Sequence, residues 1–327
     1  MAFKICAVGC GGMANGGHGP SFRKYAQERE DTVLAACCDL DAGKAELYRE
    51  KFGFQKAYTD MEEMLKAEKP DAVSLVVPVS LTERLSIQVM EMGIPVILEK
   101  PPGMDREQTL RMMEVAERTN VFNQVSFNRR FMPIVRRFRE LQKDIPGQLW
   151  QYEFYRVNRK DADFSTTATH GIDTMKYLAG SDYAFAHFRY WPNPKNPELV
   201  PVITMECGFK DGQAGRITFA PATGYNAERC TMHGTNEMMS LTMPYQGGNG
   251  SVDANGLITI ARNGEVVHQE PGEKAELFVE SGFYGENAHF FDCVRAGVRP
   301  VDDIASGLQT VEVADCIRKR KESYFSE

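Results

Sequence analysis

No apolar run in this 327-residue chain approaches the roughly 20 residues that a membrane helix needs, so a helical span is excluded at the outset. Nor is there an excess of positive charge. The net charge is −7, which argues against a general nucleic-acid surface, since that requires a basic footprint. The eight cysteines (Cys6, Cys10, Cys37, Cys38, Cys207, Cys230, Cys293 and Cys316) show no repeated metal-type spacing. This disfavours a zinc site or a disulfide framework and leaves most of them as small buried hydrophobes of a reducing compartment. No metal is expected. The segment before Phe3 has no charged stretch followed by a longer apolar one, so no signal peptide is expected, and a cytoplasmic location follows. Internal repeats and low-complexity segments are missing too.

What is present is ordinary globular composition, 43% hydrophobic and 25% charged, in a length that suits two domains. The first third alternates strand and helix. Strands are expected at 3–8, 32–38, 72–77, 94–98 and 121–127. Helices are expected after the glycine turn, at 42–52, after Asp60, after Ser80 and at 105–117. Asp60 with Glu63 and Ser80 with Glu83 have the spacing of capping boxes, and Gly53 that of a helix-ending residue. Such alternation predicts a parallel sheet with helices on both faces. After Phe127 the pattern changes. One amphipathic helix (Phe131, Ile134, Val135, Phe138, Leu141) precedes a strand-rich region. There Lys210-Asp211-Gly212 and Asn263-Gly264 mark hairpins. Closing helices are expected at 286–295 and 304–320. The expected fold class is α/β: an N-terminal Rossmann doubly wound sheet, then an α+β domain with a large, mostly antiparallel open sheet. The expected domains are residues 1–126, for a dinucleotide, and 127–327, for substrate binding and oligomerisation.

Two motifs carry the chemistry. Gly9-Cys10-Gly11-Gly12-Met13-Ala14 follows the first strand. Gly9 permits a tight turn, Gly11 lets backbone N–H groups approach a pyrophosphate, and Ala14 is the small residue where helix packs on strand. The glycine-rich stretch to Pro20 implies that regular helix starts or resumes only after Pro20. Asp39 ends the second strand, where a carboxylate accepts hydrogen bonds from the adenosine ribose. It lies farther from Gly9 than the usual ~20 residues, an excess the Gly16–Pro20 segment can absorb. Its negative charge repels a 2′-phosphate, so NAD is preferred over NADP. Glu99-Lys100-Pro101 follows another apolar strand and places a lysine where open α/β sheets bind ligands.

Taken with Asn128-Arg129-Arg130-Phe131 and His170-Gly171-Ile172-Asp173, these motifs resemble the glucose–fructose oxidoreductase/inositol dehydrogenase/MocA (Gfo/Idh/MocA) family along nearly the whole chain. The resemblance implies an NAD-dependent dehydrogenase or reductase acting on a secondary alcohol or ketone of a sugar, cyclitol or related polyol. It implies that Lys100 and His170 are catalytic and that Asp173 contacts substrate. It also implies that the second-domain sheet forms a homodimer or homotetramer. The family's contact after the strand ending at Val77-Pro78 would be backbone or apolar here, because Val79 and Thr82 replace its asparagine and histidine. Thr166 stands where the family often has an aspartate four residues before the histidine, and a threonine cannot hold an imidazolium as a carboxylate can. Asn128, Arg129, Arg156, Thr166 and Tyr284 are further substrate-site candidates. Arg156 with Asn158 and Arg159 could hold a carboxylate or phosphate of the substrate, or be solvated or form interdomain salt bridges. Phe283-Tyr284 could stack on a sugar ring or pack in the core. A redox-neutral, NAD-using glycoside-cleaving or eliminating enzyme is the alternative, and a non-catalytic NAD or sugar sensor the third possibility.

Overall fold

The computed structural model describes residues 2–143, 145–161, 163–244 and 255–326. Its contacts divide the chain into two compact units, Met1–Phe131 with Leu277–Val311, and Met132–Glu276 with Glu312–Glu327.

The first unit begins with β1 (Phe3–Val8), a π-helical turn (Ala14–His18), α1 (Gly19–Glu28), β2 (Thr32–Cys38) and α2 (Ala42–Phe52). It continues with β3 (Lys56–Tyr58), α3 (Met61–Glu68), β4 (Ala72–Leu75), α4 (Val79–Glu91), β5 (Val96–Glu99), α5 (Arg106–Thr119) and β6 (Asn123–Ser126). The six strands form a parallel sheet in the order β3-β2-β1-β4-β5-β6. The order reverses between β1 and β4, which opens a ligand crevice at the carboxyl ends of those strands. Strand periodicity splits the core in two. Phe3, Ile5 and Ala7 of β1 join one buried cluster and Cys6 and Val8 the other.

Capping decides several helix ends. Asp41 Oδ1 accepts from the N–H groups of Gly43 and Lys44, and Gly53 closes α2 in the left-handed region. Asp60 caps α3 through the Glu63 N–H, and Asp105 caps α5 through the Gln108 N–H. The box expected at Ser80 and Glu83 does not form. Pro78 precedes α4, Ser80 already lies inside it, and the Glu83 carboxylate accepts from Arg111 Nε at 2.5 Å. Regular helix resumes at Gly19 rather than after Pro20, because the π-turn absorbs the extra length and Pro20 fits the first turn of α1.

The expected single boundary at 126/127 differs from the contact division. A 3₁₀ turn (Asn128–Phe131) still belongs to the first unit, and so do α8 (Leu277–Glu280) and α9 (Phe283–Ala296). The cause is apolar burial. Phe290 and Phe291 of α9 are fully buried in the cluster of Phe3, Phe22 and Tyr25, and Phe291 packs 5.1 Å from the Tyr25 ring. α9 thus covers one face of the parallel sheet.

The second unit contains α6 (Pro133–Gln142), β7 (Leu149–Tyr155), α7 (Ser165–Ala179), β8 (Tyr183–Trp191), β9 (Val202–Phe209), β10 (Ala214–Ala220), β11 (Ala227–Gly234) and β12 (Glu237–Thr242). β13 (Leu257–Arg262) and β14 (Glu265–Pro271) follow. α10 (Leu308–Arg318), entered through a 3₁₀ turn at Ala305–Gly307, crosses the cut, and β15 (Ser323–Phe325) ends the unit. Nine strands form a sheet in the order β14-β13-β12-β11-β7-β10-β9-β8-β15, antiparallel except for β10 beside β7. Both expected hairpin turns join neighbouring antiparallel strands. Trp150, Tyr152 and Phe154 alternate along β7 into a core shared with Ala168, Ile172, Met175 and Leu178 of α7. The long β8 and the short β15 had no strand expectation. Both are held by sheet neighbours rather than by a local turn signal.

Candidate active site

Gly9 sits directly after β1 at φ +93°, and a β-carbon there would fall 2.0 Å from the Val76 carbonyl oxygen. Only glycine allows β1 and the chain after β4 to come this close at the switch point. Gly11 and Gly12 have open space where a β-carbon would be, and the helical turn begins at Gly12 and Met13. Their backbone N–H groups are therefore approachable at a helix start, the arrangement that suits a pyrophosphate. Asn15 Nδ2 braces the loop by donating to the Cys10 carbonyl at 2.9 Å, and Ala14 is fully buried. Asp39 is half-buried at the end of β2. Its carboxylate accepts from the Cys10 N–H at 2.9 Å and the Asp41 N–H at 3.0 Å. An ionised carboxylate has about four acceptor sites, so capacity for ribose hydroxyls remains. These residues fit a dinucleotide. Val77 is half-buried and Pro78 exposed, both in the loop facing Gly9 rather than in β4, which ends at Leu75.

Lys100 follows β5 at the same carboxyl edge of the sheet, half-buried, with a cis peptide to the buried Pro101. Glu99 is anchored by a residue that the sequence reading did not single out. His18, 1% exposed, places Nε2 2.8 Å from Glu99 Oε1. The Asn287 amide lies 3.1 Å from His18 Nδ1, and the imidazole ring packs against Phe283. The second Glu99 oxygen accepts from the Lys100 N–H at 3.2 Å. Burial opposes ionisation of Glu99, but the hydrogen bond and charge of His18, with the Lys100 ammonium, outweigh it and hold the carboxyl below its usual range. A histidine two turns into a glycine-rich segment carries no local signal for this role. The pairing exists because the π-turn points residue 18 at the end of β5.

Asn128 and Arg129 lie in the first unit. Asn128 is buried and donates to the Ser281 carbonyl at 2.7 Å, and Arg129 reaches Asn128 Oδ1 at 3.3 Å. Tyr284 is also in this unit, where its hydroxyl donates to the Glu28 carboxylate and its ring lies under Lys24. Burial first, then that hydrogen bond, pushes the phenol well above its ordinary range. Tyr284 thus packs against one core cluster of the first unit.

In the second unit Thr166, His170 and Asp173 are spaced along one face of α7. Thr166 and His170 are half-buried, and Asp173 is 2% exposed. The Thr166 hydroxyl donates to the Asp163 carbonyl at 3.1 Å, so it is engaged in the helix entry. Asp163 Oδ1 accepts from the Ser165 N–H at 3.0 Å and from the Ser165 hydroxyl, which starts the helix. Arg156 is 5% exposed and forms an ion pair with the equally buried Glu228, whose other oxygen accepts from Tyr152 Oη at 2.9 Å. The Arg156 guanidinium also covers the Phe154 ring at 3.6 Å. Its charge is thus compensated within the second unit, by Glu228 of β11. Arg159 bonds Asp161 and Thr167. Among the described residues no group of three or more His, Cys, Asp or Glu is placed to hold a metal ion.

Residues 3–127 match the model of an oxidoreductase family with an NAD-binding Rossmann fold, named Gfo/Idh/MocA. Residues 3–127 thus form an NAD-binding Rossmann domain similar to that of this family. It is 31% identical over 137 residues to D-glucoside 3-dehydrogenase of Escherichia coli, a match covering 42% of this chain and 38% of that protein. It is 28% identical over 176 residues to inositol 2-dehydrogenase of Corynebacterium glutamicum, covering 51% of each. The chain thus spans about half or less of the length of these relatives. The fold extends further. A dehydrogenase from Chromobacterium violaceum superposes with a TM-score of 0.83 at 20% identity, over 98% of this chain and 95% of the other. An aldose-aldose oxidoreductase from Caulobacter crescentus gives 0.81 at 16% identity over all of both chains.

Proposed function

We propose that the protein is an NAD-dependent dehydrogenase or reductase that moves hydride between nicotinamide and a secondary alcohol or ketone of a sugar, cyclitol or related polyol. The observation that carries this reading is Lys100, held on the ligand edge of the Rossmann sheet beside the His18–Glu99 pair and two strands from the Gly9 loop. The named relatives act on glucosides and inositols, which supports the substrate class. In this proposal the first unit holds the cofactor and the second unit the substrate.

The cofactor, when bound, supplies hydride exchange. Gly9, Gly11, Gly12, Met13 and Ala14 form its phosphate loop. Asp39 takes the ribose and favours NAD over NADP, and Val77, Pro78, Glu99, Lys100 and Pro101 border the nicotinamide end. Lys100 hydrogen-bonds the reacting oxygen and stabilises its developing negative charge. His170 takes the hydroxyl proton in oxidation and returns it in reduction. Asp173, Thr166, Asn128 and Arg129 belong to the substrate side. Arg156 supports that side through its buried pair with Glu228.

The test is direct. Purified protein is freed of bound nucleotide, given NAD, and offered sugars, cyclitols and their keto forms while the NADH absorbance is followed. Substrate-dependent NADH formation is the expected result. NAD binding with glycoside consumed and no net NADH would move the assignment to redox-neutral chemistry.

Two properties complete the proposal. The protein is cytoplasmic, as all eight cysteines are free thiols and seven are buried. It is a homodimer or homotetramer assembled through the large sheet, which leaves Phe185, Trp191, Val202 and Phe325 exposed on neighbouring strands. A monomeric mass by light scattering would contradict the assembly.

A further inference from the structure

Glu286 stands out in the first unit as a buried acid. It lies on α9, is fully buried, and neither carboxyl oxygen has a hydrogen-bond partner among the described residues. Each buried polar group of this kind calls for an explanation, because an unpaired carboxylate without water is unfavourable. Its surroundings tie it to the lysine corner. The adjacent Asn287 holds His18, which holds Glu99. Gln124 of β6 donates to the Glu286 carbonyl at 2.9 Å, and its amide oxygen lies 2.9 Å from His289 Nδ1. Ser126, two residues along the same strand face, is the sheet partner of Glu99 and has a buried hydroxyl without a partner. A helical side chain leans toward the helix N-terminus, here the end beside Asn128, which bonds the Ser281 carbonyl. Two orphaned groups, Glu286 and Ser126, therefore belong to one neighbourhood at the carboxyl edge of β5 and β6.

We propose that Glu286 stores a proton beside the Glu99–Lys100 corner and releases it when the oxidised, cationic nicotinamide occupies the site, as a positioning residue that balances charge for hydride transfer. The proposal rests on the reading that nicotinamide lies at Lys100. The step is the breaking of one carboxyl O–H bond. The proton passes to solvent and the electron pair stays on Glu286, which becomes a carboxylate. No oxidant or reductant is involved. Without cofactor the neutral form holds. Burial raises the carboxyl well above its ordinary range, the charges of Glu99 and Asp302 raise it further, and Arg129 opposes them. The other titratable and charged groups on elements packed against α9 are His18 on the π-turn, Arg130 on the 3₁₀ turn, which pairs with Asp302, Arg23, Lys24, Tyr25 and Glu28 on α1, Glu280 on α8, and Tyr284, His289, Asp292, Cys293 and Arg295 on α9 itself. Lys24 pairs with Glu28 on α1, and Arg29, directly after α1, pairs with Asp292 of α9. A cationic ring in a low-dielectric crevice favours a second negative charge nearby, and a neutral reduced ring does not.

The test is calorimetric titration of the intact protein with NAD⁺ and with NADH in buffers of different ionisation enthalpy, which counts protons released. Wild type is expected to release more protons with NAD⁺ than with NADH, and Glu286→Gln to lose that difference. Infrared difference spectra of wild type provide a readout that needs no variant. The carbonyl stretch of a buried protonated carboxyl should be present without cofactor, fade with NAD⁺ and persist with NADH. Equal proton release for both cofactors, a difference that survives in Glu286→Gln, or an unchanged carbonyl band overturns the proposal and leaves the dehydrogenase reading intact. Absence of NAD⁺ binding overturns both.

Discussion

The two units handle buried charge in opposite ways. In the second, Arg156 and Glu228 neutralise each other, Tyr152 satisfies the second carboxylate oxygen, and the Phe154 ring covers the cation. Every group has a partner, and the network sits in a core of aromatic side chains. In the first, Glu99 is compensated by His18 and Lys100, while Glu286, in the same electrostatic neighbourhood, has no hydrogen-bond partner among the described residues. A network closed in this way stabilises a scaffold, whereas an open one stores free energy that a ligand can release. Unsatisfied groups concentrate where a fold trades stability for function. In the first unit such groups, Glu286 and Ser126, sit toward the carboxyl edge of the parallel sheet, the edge at which the proposed reaction takes place.

The comparison can be broken most severely at Lys100. Lys100→Met should lower turnover by about 10²–10³-fold, the loss seen when one charge-stabilising donor is removed, while NAD still binds. Near-normal turnover in a steady-state assay would remove Lys100 from the chemistry. Next in size is the closed network. Arg156→Met leaves Glu228 buried and alone, and should cost about 3–5 kcal/mol of unfolding free energy in urea melts. Adding Glu228→Leu should recover much of the loss. If the single variant is as stable as wild type, the network is not the scaffold element described above.

Gly9→Ala tests the crevice itself. The left-handed backbone and the contact with the Val76 carbonyl should cost about 2–4 kcal/mol and weaken NAD binding, measured by chemical denaturation and by titration calorimetry. Unaltered binding would show that the loop can move without consequence. The smallest effect is a gain. Glu286→Met removes an unpaired buried acid and should stabilise the protein by about 1–3 kcal/mol at neutral pH. The sign follows from linkage. With its folded value raised, native Glu286 binds more proton than the unfolded chain above the ordinary carboxylate range, so wild type loses stability as pH rises through that window. The variant should lack this loss, so its advantage should grow with pH. A constant advantage across pH would mean that the benefit is packing alone. Glu99 has the opposite sign. Its contribution is present above the ordinary carboxylate range and fades as pH falls through its lowered folded value.

Local rules and long-range packing divide what could be read from the chain. β1, β2 and α2 have the bounds expected from apolar runs and Gly53, because those signals act within a few residues. Asp211-Gly212 and Asn263-Gly264 place two hairpins for the same reason. Ser80 misled because a capping box depends on where the preceding loop ends, and Pro78 ends it earlier. β8 and β15 escaped notice because their neighbours are distant in sequence. The site divides in the same way. The Gly9 loop and Lys100 are written in short motifs, while the partners of Arg156 and Tyr284 lie 72 and 256 residues away.

By itself, then, the sequence determined the Rossmann topology, the glycine turn, the lysine after β5 and the likeness of residues 3–127 to an oxidoreductase family. Each rests on backbone geometry or periodicity that operates over a turn or a strand. Only the tertiary structure decided that α9 completes the first unit, that His18 holds Glu99, and that Glu286 is buried without a partner. Those outcomes depend on apolar surfaces finding each other across more than 250 residues, as Phe291 finds Phe3, and no local pattern encodes which polar groups such packing brings inside.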